Sequence, residues 1–165
     1  ISDDTAIKNG YELTKYKTLT PTVTTKTSFF GEAINSISGE DVRLSKRLSL
    51  PRQKLKGFKT QEIGPKDNQD YIGGNYIAAI NFQTTLPIFP SFQNTEFEYF
   101  IDTANVWGVD YSSTINQSSK IRSSTGIAVN WYTPVGPLNF SYAFPVTKKS
   151  SDTTEAFQFN LGTNF

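Results

Sequence analysis

Five successive stretches of this 165-residue chain alternate apolar and polar side chains with a period of two, which limits the folds open to it. In YIAAINFQTTLPI the even positions Tyr76, Ala78, Ile80, Phe82, Leu86 and Ile88 are mostly apolar, with Asn81, Gln83 and Thr85 between them. In EFEYFIDTANVW the odd positions Phe97, Tyr99, Ile101 and Trp107 are apolar, while Glu98 and Asp102 fall on the even side. IRSSTGIAVNWYT sets Ile121, Ile127, Val129 and Trp131 against Arg122, Ser124, Gly126 and Asn130. PLNFSYAFPV sets Leu138, Phe140, Tyr142, Phe144 and Val146 against Asn139, Ser141 and Ala143. EAFQFNLGTNF repeats the pattern, with Phe157, Phe159, Leu161, Thr163 and Phe165 opposite Gln158, Asn160, Gly162 and Asn164. Successive side chains on a strand point to opposite faces, so each stretch reads as a strand with one apolar side.

Toward the N-terminus, GYELTKYKTLT and PTVTTKTSFF are Thr-rich and read as two more strands, although Lys15, Lys17 and Lys26 blur their faces. The connections carry a second pattern. LPIFPSFQN (86–94) and TPVGPL (133–138) are short, with Pro and Gly suited to tight turns. Residues 108–120 and 147–155 are polar and longer, and the region from about 34 to 72 is longer still. Short turns and long loops alternate, which is the layout of an up-and-down barrel that crosses a membrane.

Composition removes whole classes of chemistry. With no Cys and no His, disulfides, thiol catalysis, zinc–thiolate sites and the usual serine-hydrolase base are absent, and no metal or cofactor site is expected. A net charge of +1 gives no field for nucleic acid. No run of about 18 apolar residues could form a spanning helix, but a spanning strand needs only about 9–11. The sequence starts at Ile1 with no basic and apolar leader-like segment, so the chain is read as a mature protein or a piece of a longer one. A soluble β-sandwich alternates in the same way and stays open as a second architecture. Two features favour the membrane barrel. The polar side is Asn, Ser, Thr, Gln and Gly, as a wet lumen requires, and the apolar side carries Tyr76, Trp107, Trp131 and Phe165 at its ends, where aromatic girdles sit.

IRSSTGIAVNWYTPVGPLNFSYAFPV followed by EAFQFNLGTNF resembles the end of the barrel in the outer-membrane protein assembly factors of the bacterial surface antigen superfamily. The similarity is densest from Leu55 to Phe165. FIDTANVWG is similar to the family's F-x-D-x-G-x-x-W segment, with Ala104 where Gly is usual. LKGF (55–58) stands at the family's R-G-F/Y motif, on a long loop that folds into the barrel in relatives. The resemblance implies that Lys56, Gly57 and Phe58 lock this loop into the lumen and that Lys56 pairs with Asp102, which parity independently places on the lumen side. Lys56 in place of Arg supplies a point charge rather than a planar fork. Gln83 stands where a second acid is often found, and Glu98 is the candidate substitute.

Seven strands cannot close as a complete barrel of this type, and the family's barrel has about sixteen, so the chain is expected to be its C-terminal part. The implied function is insertion of other barrel proteins into the bacterial outer membrane, with no bond chemistry. The implied partners are client outer-membrane proteins, membrane lipids and accessory lipoproteins. A lateral seam would expose the terminal strand (Phe157, Phe159, Leu161, Gly162 and Phe165) to client strands, by β-augmentation. Gly162 would serve as a weak point of that strand or as a tight corner. A two-partner secretion pore of the same superfamily and a passive porin are the alternatives within the membrane. Among the remaining motifs, YIGGNY (71–76) reads as close backbone packing, the Glu96/Glu98 pair as water-facing, and Asn116 as a sequon without consequence in a bacterium. The basic run from Asp41 to Lys56 reads as solvated loop charge, or as a contact for lipopolysaccharide.

Overall fold

The structure, a computed structural model, describes residues 5–89, 92–115 and 120–162. Its strands in chain order are β1 (Ala6–Thr20), β2 (Val23–Ser36), β3 (Gly57–Phe58), β4 (Lys66–Asp67), β5 (Asp70–Tyr71) and β6 (Tyr76–Leu86), then β7 (Thr95–Trp107), β8 (Arg122–Thr133), β9 (Gly136–Thr147), β10 (Thr154–Glu155) and β11 (Phe157–Leu161). Seven of them form one antiparallel sheet in the order β1-β2-β6-β7-β8-β9-β11, so each long strand lies beside the next along the chain. This is the all-β, up-and-down wall that the alternation predicts. The longest connection runs from 37 to 75 and holds β3, β4 and β5.

Burial settles which side is which. The apolar side chains of the repeat, among them Ile80, Ile101, Ile127, Phe144 and Phe159, are exposed. Their polar or small neighbours, among them Asn81, Asp102, Ser124, Ala128 and Ser141, are buried. A sandwich does the opposite, because its apolar sides face each other across a dry core. Phe140 and Phe159 do touch, with ring centroids 5.1 Å apart, but on the outer surface of neighbouring strands. At about 3.4 Å per residue the 13 residues of β7 rise about 40 Å. A tilt of about 40° turns this into about 30 Å along the normal, the thickness of a bilayer's hydrocarbon. Tyr76 and Trp107 pair at the long-loop end with rings 5.8 Å apart, and Trp131 stands exposed at the short-turn end.

The register also resolves the ambiguous first hairpin. Leu13 opposes Phe29 on the outer face, Lys15 and Lys17 follow on that face toward the short turn, and Lys26 opposes Tyr16 on the inner one. The outer lysines therefore fall in the half of β1 nearer the short turn, from which a long cationic chain can extend toward water.

The inner face is graded rather than uniformly wet. At its long-loop end Ile34, Ile77, Ala79, Ala104 and Val106 pack against Val42, Leu48, Leu50, Leu55, Phe58 and Ile63 of the 37–75 connection. The loop brings its own apolar core and covers that half of the sheet. The short-turn half stays polar and surrounds a cavity of about 530 Å³ lined by Gln83, Glu98, Asn130 and Asn139 among others. At YIGGNY the backbones do close up, since a Cβ on Gly74 would stand 2.5 Å from the Trp107 carbonyl oxygen. Ser141 departs from the wet lumen that the polar side suggests: it faces inward but is only 2% exposed.

An outward Ile127→Arg substitution should cost about 2–4 kcal/mol near the midplane. Gln83→Arg, into the wet cavity, should cost well under half of that. Chemical unfolding of the intact protein in lipid vesicles measures both, and equal costs would contradict the assignment of faces.

Candidate functional site

The tip of the 37–75 connection is built to reach the whole wall. A 3₁₀ turn at Arg52–Lys54 ends at Leu55, and the short strand Gly57–Phe58 follows, with both residues buried. Gly57 has φ +89°, and a Cβ there would stand 2.9 Å from that of Ala143, so both its backbone and its side of the wall demand glycine. The floor beneath is made of small residues: Ser124, Gly126 and Ala128 on β8, with Ser141 and Ala143 on β9. Gly126 gives room to its register partner Phe100, whose ring end would lie 2.8 Å from an added Cβ.

Lys56 and Asp102 do meet. The Lys56 Nζ lies 2.9 Å from Asp102 Oδ2, and the two side chains are only 7% and 0% exposed. The Lys56 backbone N–H donates to the same oxygen at 3.0 Å. This main-chain donor takes the place of the second arm that an arginine would offer. The ammonium also sits 4.1 Å from the centroid of the Phe100 ring, a cation–π contact that further compensates its burial. The other carboxylate oxygen of Asp102 accepts from Asn81 Nδ2 at 2.8 Å, and Asn81 also donates to the Lys54 carbonyl at 2.9 Å.

Further contacts spread from this centre. Ser124 donates its hydroxyl proton to the Lys56 carbonyl, and Gln158 Nε2 donates to the Phe58 carbonyl at 2.9 Å. Gly57 and Phe58 pair with Glu155 and Thr154 as a short ladder. On the opposite flank Lys54 forms an ion pair with Glu12 and lies 4.9 Å above the Phe30 ring. Residues 54–58 in this way touch every one of the seven wall strands. Glu98 shares the inner face but is hydrogen-bonded to Asn130, and the ion-pair partner of Lys56 is Asp102.

Part of the basic run turns inward as well, while Arg43 and Lys46 are exposed. Arg47 pairs with Asp110 at 3.1 Å and Arg52 with Glu155 at 3.2 Å, in addition to Lys54 and Lys56. These four cations fasten the loop. Burial pushes the Asp110 carboxyl up, but hydrogen bonds from the Val42 N–H and Asn75, with the Arg47 charge, outweigh it and hold the group below the usual carboxylate range.

The terminal strand pairs with β9 on one side, from Phe157↔Tyr142 to Leu161↔Leu138, and its other edge has no partner strand among the described residues. Phe157, Phe159 and Leu161 point outward and are exposed. Gly162 lies just past the strand at φ +131°, with its N–H on the Pro137 carbonyl at 3.2 Å. Phe165 and Asn116 lie outside the described residues. No cluster of three or more metal-ligating side chains occurs among the described residues. Sequence reasoning missed Phe100, Asn81, Ser124 and Gln158, although all four sit at inward parity.

Truncating either Lys56 or Asp102 to Ala leaves the other charge buried without its partner and should cost about 3–5 kcal/mol. The double substitution should cost less than the sum of the two. Unfolding of the intact protein in lipid measures all three variants, and additive costs would show that the two groups do not act together.

Comparison with known proteins agrees with this geometry. The chain is 29% identical over 139 residues to the outer membrane protein assembly factor BamA of Neisseria meningitidis serogroup B, covering 67% of this chain and 17% of that protein. Against the BamA of Nitratidesulfovibrio vulgaris it is 26% identical, covering 99% of this chain and 21% of the relative. A SAM50-like protein of Schizosaccharomyces pombe is 25% identical over 142 residues, covering 81% and 30%. Among solved structures, that of BamA from Haemophilus ducreyi lacking POTRA domains 1–3 superposes with a TM-score of 0.85 at 28% identity, over 95% of this chain and 35% of that one. The chain therefore spans about a fifth of the length of these curated BamA relatives. With the Omp85 superfamily domain matching residues 1–165, the chain belongs to the Omp85 superfamily.

Proposed function

We propose that this chain forms part of the barrel wall of an outer-membrane protein assembly factor, located in the bacterial outer membrane. What supports the reading is the lumen lock on a wall that superposes on a BamA barrel, with the outer side chains of β11 exposed and apolar and its inner Gln158 tied to the lumen loop. Hydrocarbon offers no hydrogen bonds to a strand edge, so β1 and β11, each paired on one side among the described residues, both need a further strand as partner. An incoming client strand fits that need by β-augmentation, and burial of the client's own apolar side in lipid supplies the free energy. The lumen loop keeps the wall in shape while the edge is in use. Client outer-membrane proteins and lipids are the direct partners, and accessory lipoproteins would act from the short-turn side. The plug over the long-loop half of the inner face speaks against a passive porin. The same plug suits a secretion pore of the superfamily, but the two BamA relatives named above are described as assembly factors.

Because residues 1–165 contain no Cys, an introduced one reports on its own position. A cysteine at Asn160 should form a disulfide with a cysteine in the terminal strand of a client arrested during assembly. One at Ile101, on an interior strand, should not. Equal capture at both positions, or none at Asn160, would refute the seam.

A further inference from the structure

A second ion pair lies away from Lys56 and Asp102. The side chains of Arg122 and Asp152 are both 0% exposed. Arg122 donates from Nε to Asp152 Oδ2 at 3.0 Å and from Nη2 to Asp152 Oδ1 at 2.9 Å. Its Nη1 donates to Asn105 Oδ1 at 2.7 Å and to the Lys120 carbonyl at 3.1 Å. Asp152 also accepts the Lys149 N–H at 2.6 Å and returns its own N–H to the Lys149 carbonyl at 3.1 Å, closing a turn. A buried forked pair with its other valences satisfied is suited to holding a position, since a buried charge without these partners would be strongly destabilising.

What the pair positions is the next stretch of chain. The Thr153 carbonyl accepts the Lys59 N–H at 3.0 Å, and the Thr153 N–H donates to the Glu62 carbonyl at 3.3 Å. Thr154 and Glu155 then pair with Phe58 and Gly57, and Gln158 closes on the Phe58 carbonyl. Arg122 and Ser124 are successive inward residues of β8. Ser124 holds the loop tip from the wall side, while Arg122 anchors the segment that clasps the tip from the other side and runs straight into β11.

We infer that Arg122 and Asp152 are positioning residues, a second lock that makes the lumen-loop tip and the terminal strand a single unit. On this account β11 cannot leave the wall without loosening Gly57 and Phe58. The consequence for client exchange rests on the reading of β11 as the seam edge; the coupling itself does not.

Hydrogen exchange on the intact protein in lipid vesicles, without client, tests the coupling. Asp152→Asn keeps the side-chain volume and removes the charge. It should speed exchange of 57–62 and of 153–158 together, by about tenfold or more, and leave 77–82 of β6 unchanged. Asp152→Glu, which keeps the charge, should restore part of the protection. Faster exchange confined to 148–152 would reduce the pair to a local staple and overturn the inference. Should Asp152→Asn fail to fold, the unaltered protein still decides: at high pH, where every opening is recorded, 57–62 and 153–158 should open in one correlated step. Independent opening overturns the inference. A client-insertion assay on the same variants separates the claims, since coupling without an insertion defect would count against the seam and not against the lock.

Discussion

Hydrocarbon gives a polypeptide nothing to hydrogen-bond with, and the architecture of this chain follows from that. The inner strands β2, β6, β7, β8 and β9 satisfy their backbones through neighbours on both sides, in an unbroken antiparallel order from β1 to β11. Once the backbone is paired, side chains divide by parity. Apolar groups such as Ile80, Ile127 and Phe144 are left on the exposed side because the lipid there is as greasy as they are. Small and polar groups face inward, where a loop and water can meet them.

A single curved sheet has only one packed face, and the 37–75 connection supplies the material for it. Its apolar residues cover the long-loop half of the inner wall, and its charged tip is pinned where that cover gives way to the wet half. Loss of the planar arginine fork at Lys56 is offset by three local features: the main-chain N–H that joins the ammonium on Asp102, the Phe100 ring beneath it, and Asn81 on the opposite carboxylate oxygen. The small floor of Gly126, Ala128 and Ala143 matters as much as the charges, because it lets the loop backbone come close enough to be held. The terminal strand belongs to this arrangement through Gln158 and the Gly57–Phe58 ladder, so β11 is continuous with the lock.

Much of the wall was legible in sequence because period two is a direct consequence of strand geometry, and five strands displayed it cleanly. The first hairpin was harder. Its outer lysines near the turn look like inner-face residues until the register sets Lys15 opposite Thr27, on the face of Leu13 and Phe29. The Lys56–Asp102 contact was reached through family resemblance together with parity, and geometry gave it the details. What sequence could not reveal are contacts between residues far apart in the chain that share no motif. Arg122 with Asp152, Ser124 with Lys56 and Gln158 with Phe58 are of this kind. Inward parity alone marked one member of each pair. The burial of Ser141 was missed for a related reason, since alternation gives a face but not what covers it.

The central claim is that lipid chains contact the apolar side of these strands. The most direct measurement is a nitroxide scan along β9, with single cysteines from 138 to 144 in the intact protein in vesicles, comparing collisions with oxygen and with a water-soluble nickel complex. The account predicts oxygen maxima at Phe140, Tyr142 and Phe144, with minima at Asn139, Ser141 and Ala143. A flat profile, or maxima at the odd positions, would contradict it.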